Sequence, residues 1–114
     1  MEIGETLYVT TRGDFRKWLE KNHEIKKEIW LIQYRKAVKK PSLALAEAVE
    51  EAICFGWTES IGFKGLDAER YVTRFSPRRP GSTWTEKNRQ RARKMIAAGK
   101  MREAGRATLP SDMR

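Results

Sequence analysis

Six consecutive residues, Ser76-Pro77-Arg78-Arg79-Pro80-Gly81, hold two guanidinium groups between two prolines. Proline fixes φ at about −65° and drives the preceding residue away from helical geometry, so the two arginines are presented on a stiff, extended loop. A planar guanidinium donates two parallel hydrogen bonds to a pair of oxygens, which suits phosphate or carboxylate. The loop leads to Thr83-Trp84-Thr85-Glu86, which fits a capping box with Thr83 as N-cap and Glu86 at N3. A helix start offers unpaired N–H groups and a partial positive charge, so loop and helix together predict an anion site. Its candidate ligating residues are Arg74, Arg78, Arg79, Ser82, Thr83 and Asn88. The helix then runs to about Ala98 and presents Lys87, Arg89, Arg91, Arg93 and Lys94, with no acid after Glu86 to neutralise them. These five are the candidate nucleic-acid contacts. Glu59 is the remaining chemical candidate, because alternation puts it in register with Trp57, Ile61 and Phe63. A carboxylate on a half-buried face either pairs with an arginine or serves as an acid or base in a site.

The distribution of charge points the same way. Residues 1–69 carry 11 Lys/Arg against 12 Asp/Glu, whereas residues 70–106 carry 12 against two, so nearly all of the net +9 lies in one contiguous third. A one-sided segment of this kind suits a polyanionic or phosphorylated partner. At 114 residues, with 39% hydrophobic and 34% charged side chains, the chain is expected to form one α+β domain. One cysteine, Cys54, and one histidine, His23, allow neither an internal disulfide nor a Cys/His metal cluster, and no cofactor is expected. Cys54 lies in an apolar setting and is expected to pack as a small buried residue. The N-terminus lacks a basic region followed by an apolar stretch, and no run approaches the ~20 apolar residues that span a bilayer; a cytoplasmic protein is expected.

The elements that must position these residues follow from periodicity. Thr6 to Thr10 has strand composition; Thr11 then offers an N-cap oxygen to a helix whose Phe15, Trp18 and Leu19 face the core, ending near Asn22. Glu28 to Arg35 is the most apolar strand, with Ile29, Leu31 and Gln33 on one face and Trp30, Ile32 and Tyr34 on the other, as in a central strand. Ser42 is expected to cap a second helix that buries Leu45, Val49, Ala52 and Ile53, exposes Glu47, Glu50 and Glu51, and stops at Gly56. From Trp57 the period becomes two, and the runs either side of the loop from Lys64 to Arg70 predict an antiparallel hairpin. After Gly99 one further helical turn through Ala107 precedes a flexible tail over 108–114. The whole predicts a two-layer sandwich, an antiparallel sheet of four to five strands packed by about three helices.

Several stretches carry a likeness. Ala52-Ile-Cys-Phe-Gly-Trp57, Asp67, Arg70-Tyr71, Arg74-Phe-Ser-Pro-Arg-Arg-Pro80 with Ser82, Trp84 and Asn88, and Ala98-Gly99-Lys100-Met101 with Ala104-Gly105 resemble the YdeI/OmpD-associated family, often labelled bacteriocin-protection proteins. Phe15, Trp18 and Leu19 are similar to its amino-terminal Phe-x-x-Trp-Leu. The resemblance covers about residues 14–107 and implies a compact two-layer α+β domain, without implying a reaction. Where the family usually has Trp-Ile-Asp-Gly this chain has Trp57-Thr58-Glu59-Ser60, which keeps an acid and loses a glycine.

Three functions compete on these grounds. The first is a module that binds a phosphate-bearing partner, nucleic acid foremost, through the Arg78-Arg79 loop and the basic helix. The second is a small-molecule enzyme or sensor in which the arginines clamp a phosphate or carboxylate and Glu59 acts as acid or base. The third is an interaction domain for acidic protein partners.

Overall fold

The computed structural model describes residues 2–114, apart from the Ile61 side chain. In chain order the elements are β1 (Thr6–Leu7), α1 (Arg12–Asn22), β2 (Ile29–Tyr34), α2 (Leu45–Cys54), β3 (Trp57–Gly65), β4 (Arg70–Pro77), α3 (Glu86–Ala97) and α4 (Glu103–Arg106), followed by a 3-10 turn at Ser111–Met113. The strands form one sheet in the order β1-β2-β4-β3. This is an α+β fold. β2, β4 and β3 are antiparallel neighbours as expected, but the two-residue β1 runs parallel to β2, so the sheet is mixed.

Local chemistry explains most boundaries. The Thr11 hydroxyl accepts from the Asp14 N–H and opens α1. Gly56, at φ +77°, lets the chain leave α2 in the left-handed region and turn directly into β3. Ser42 does not cap α2: its hydroxyl accepts from the Tyr34 N–H at 2.7 Å, and Ala44 occupies the N-cap without a side-chain bond. α3 also starts later than the capping box implies, because Thr85 takes the N-cap and accepts from the Asn88 N–H.

β2 is the central strand in both senses. Its Ile29 and Leu31 join Phe15, Leu19, Val49, Ile53, Trp57, Phe75, Ala92, Met95 and Leu109 in the main core between sheet and helices. Trp30 and Ile32 pack with Val72 on the opposite face, under Ile3 and Leu66. Each such side chain contributes on the order of 1.5–3 kcal/mol by leaving water. Gln33 is buried among them because its amide donates to the Leu43 carbonyl at 2.7 Å and accepts from Thr73 Oγ1 at 3.2 Å. Leu109 belongs to the core, so the segment expected to be a flexible tail closes one end of the helix layer.

Two acids expected outside lie inside. Glu50 and Glu51 are 7% and 1% exposed. Arg12 donates to Glu51 at 2.7 Å and to Glu50 at 2.8 Å, Arg16 donates to Glu51 at 2.9 Å, and Lys94 reaches Glu50 at 3.0 Å. The acids thus bind α2 to α1 and α3, which rotates them inward and leaves Leu45, expected in the buried stripe, 38% exposed. No helix among the described residues is long and apolar enough to cross a membrane.

Candidate anion-binding site

The arginine loop is built on the end of the hairpin. β4 ends at Pro77, opposite Trp57, and the next residue ties back to the α2–β3 turn, the Arg78 N–H donating to the Gly56 carbonyl at 2.8 Å. Gly81, at φ +73°, turns the chain, and the Ser82 N–H closes the turn onto the Arg79 carbonyl at 3.2 Å. The loop is therefore anchored at both ends, as two prolines on a short connection require.

Within it the Arg78 guanidinium is held entirely by neutral groups. Nη1 donates to Ser82 Oγ at 3.0 Å and to the Thr83 carbonyl at 3.3 Å, and Nη2 donates to Thr58 Oγ1 at 3.2 Å. Its central carbon lies 3.9 Å from the centroid of the Trp84 ring, a cation–π stack. The indole is itself fixed, donating to the Thr108 carbonyl at 3.2 Å. Burial pushes the Arg78 pKa below the ordinary arginine value, and no carboxylate among the described residues offsets it. Arg79, beside it, is exposed, and its side chain has no partner among the described residues.

These groups line an open cleft of about 880 Å³ together with Lys27, Thr58, Glu59, Ser60, Arg74, Ser76, Thr83 and Asn88. All six candidate anion-binding residues and Glu59 thus come together. Their availability differs. Arg74 is committed, with Nε on Glu28 at 2.7 Å and Nη1 on Ser60 Oγ at 2.7 Å. The Arg74 hydrogen bond in turn holds the Glu28 carboxyl below its ordinary range. Asn88 accepts from Arg91 at 2.9 Å, and its backbone N–H is taken by the Thr85 cap. Glu59, half-buried, has no hydrogen-bond or charge partner among the described residues, so the arginine pairing that its sequence position suggested does not occur.

Sequence reasoning missed Lys27 and the hydroxyls of Thr58, Ser60 and Ser76. Lys27 is remote in the chain, but Thr58 and Ser76 are directly opposed in the β3–β4 register, and two small hydroxyl residues on facing strands beside an arginine loop are a readable sign. A second cleft of about 450 Å³ shares Arg78, Arg79 and Ser82 and extends to Arg89 and Arg114.

The basic helix does not stand free. Lys94 pairs with Glu50, Arg89 with Asp112 and Arg93 with Glu86, while Arg91 is held by Asn88. Of the five candidate nucleic-acid contacts only Lys87 is without a partner among the described residues. The expectation of an unneutralised face fails because tertiary folding brings acids from α2 and the C-terminal turn, which local sequence does not display. Cys54 is buried, its thiol donates to the Glu50 carbonyl at 3.4 Å, and burial pushes its pKa up, as befits a packing residue.

Among the described residues no group of three or more His, Cys, Asp or Glu is placed to hold a metal ion. A family model described as "Domain of unknown function (DUF8412)" matches residues 7–108. No curated protein and no solved structure matches the chain.

Proposed function

We propose a function for a chain that belongs to the DUF8412 family: it binds a phosphate-bearing anion, nucleic acid foremost, in the cleft between the Arg78-Arg79 loop and the β3 edge. Arg78 carries this proposal. A half-buried cation satisfied only by hydroxyls, a carbonyl and an aromatic face has its charge uncompensated, and a ligand anion supplies what the chain does not. Arg79 and Lys27 add unpaired charge at the rim, and Thr58, Ser60, Ser76 and Ser82 add donors of the kind that hold phosphate oxygens. The likeness to the YdeI/OmpD-associated family adds no reaction to this function.

The test is fluorescence anisotropy with a labelled mixed-sequence oligonucleotide at low salt, alongside calorimetry with pyrophosphate. Arg79→Ala, which disturbs no intramolecular contact, is expected to weaken both ligands about 10-fold, and Arg78→Lys, which keeps the charge and loses the fork, about 10- to 100-fold. Absence of binding at low salt, or binding indifferent to both variants, overturns the proposal.

Glu59 supports a second reading, in which the cleft performs acid–base chemistry on its anionic ligand, since an unpartnered carboxylate lies in the same cleft. Glu59→Gln separates the two: a binding module keeps its ligand affinity within a few fold and has no turnover to lose.

A further inference from the structure

Beyond the anion cleft, along the same edge strand, the sheet surface facing the helices is left uncovered. A pocket of about 390 Å³ opens there between Phe63, Tyr71, Thr73, Gly62 and Leu45. Phe63 is 71% exposed, an unusual placement for a side chain whose alternation with Trp57 predicts a core position. The register explains it: shifts on either side of Ile61 carry Phe63 opposite Thr73, beyond the cover of α2, which begins only at Leu45. The ring meets Tyr71 edge to face at 5.4 Å, and Arg35 lies over the other aromatic at 5.9 Å. An exposed ring on a half-buried one, flanked by an arginine, is a stacking platform rather than a piece of core.

Two features connect this platform to the anion cleft. Glu59 lines both. Thr58 pairs with Ser76 and Phe63 with Thr73, three residues or about 10 Å apart along β4 and on alternate faces of the sheet, so cleft and platform meet around the exposed β3 edge. Cations also stand at both ends, Arg78 and Arg79 in the cleft and Arg35 and Lys36 at the pocket's far side. The Glu59 carboxylate between them repels phosphate from the middle and offers an acceptor to a ribose hydroxyl or a base amino group. Cations, an acceptor and an aromatic face are the groups that the phosphates, sugar or base edge, and open bases of an unpaired strand would use.

We propose that the Phe63–Tyr71 pocket takes an unstacked base of a single-stranded nucleic acid whose backbone rounds the β3 edge, with phosphates further along the strand held at Arg78-Arg79 and at Arg35-Lys36. This rests on the phosphate-binding function above and adds that the ligand is single-stranded and read by stacking. A duplex keeps its bases stacked inside and cannot use the platform, and the self-paired α3 offers no free basic face to enter a groove.

Five probes test it on the full chain: a short single-stranded oligonucleotide, the same strand with an abasic site at its centre, the corresponding duplex, adenosine monophosphate and pyrophosphate. The intact strand is expected to bind about 5- to 100-fold tighter than its abasic form, and Phe63→Ala is expected to erase that difference while leaving pyrophosphate binding unchanged. Phe63 is exposed, so this variant keeps the fold. Adenosine monophosphate weakened by Phe63→Ala and bound as tightly as the strand assigns the site to a free nucleotide and overturns the strand; weaker binding supports the strand. Equal affinity for intact and abasic strands, or a duplex bound as tightly as the single strand, overturns the stacking while the anion cleft stands. Loss of binding by every probe, pyrophosphate included, removes both.

Discussion

Arg78 and Arg79 are adjacent, and the fold gives them different tasks. One is fixed against Trp84 and three oxygens, the other is exposed and without a partner, so the first supplies geometry and the second supplies attraction. The contrast recurs among the acids. Glu59 has no partner, whereas Glu50 is enclosed by two cations. Burial alone would raise the Glu50 pKa, but the hydrogen bonds from Arg12 and Lys94 outweigh it and the net effect is a value below the ordinary 4.5. A carboxyl lowered in the folded state stabilises it above the unfolded pKa and loses that contribution as pH falls through the folded value. Urea midpoints are therefore expected to hold steady from neutral pH down to about 5 and to drop below it, with Glu50→Gln flattening the drop. Asp67 acts in the same direction, drawn down to about 2 by the Arg70 side chain and then by the N–H groups of Glu69 and Arg70. Arg12→Ala, which strips Glu51 and Glu50 of their shared partner, is expected to cost about 3 kcal/mol in chemical denaturation at pH 7.

Among the elements, α4 is short but closely seated. A Cβ on Gly105 would lie 2.4 Å from the Cys54 carbonyl oxygen and 2.5 Å from that of Ile53, both backbone atoms at the end of α2. The Arg102 N–H donates to the same Cys54 carbonyl at 3.1 Å, so α4 caps the orphan carbonyls of α2. Gly105→Ala is expected to lower stability by more than about 2 kcal/mol in thermal or urea unfolding, since neither backbone can retreat. Contacts of this kind are invisible in sequence, and so were the placements they govern. What neighbours dictate was legible: the Thr11 cap, the stop at Gly56, the two faces of β2 and the hairpin all follow from residues a few positions apart. What distant residues dictate was not. The α2 acids turn inward for arginines on α1, Arg89 finds Asp112, and the start of α3 shifts from Thr83 to Thr85 while the Thr83 carbonyl serves Arg78. The anion cleft was readable because its arginines, hydroxyls and helix start are close in the chain; the Phe63 platform was not, because strand alternation assigned that ring to the core.

For the whole molecule, the net charge of +9 overstates what a polyanion meets. Much of the basic third is engaged with the chain's own acids, which leaves Arg78, Arg79 and Lys27 as the cations facing the cleft without a carboxylate partner among the described residues. Counterion release makes this measurable. Three phosphate contacts in the cleft predict a slope of log K against log salt of about −2 to −3, and about −3 to −4 when Arg35 and Lys36 also hold a strand, whereas a strand lying along all of Lys87, Arg89, Arg91, Arg93 and Lys94 in addition to the cleft would give about −6. A slope near the smaller values locates binding in the cleft; the largest one would move it to the helix.

Trp84 gives the cleft an optical reporter of its own. All four tryptophans pack in or against the two cores, but only the Trp84 indole also meets the guanidinium proposed to receive the ligand. Any anion that draws Arg78 away changes the field across that ring, so occupancy should register as a shift in ultraviolet emission without a label, and Trp84→Phe should silence it.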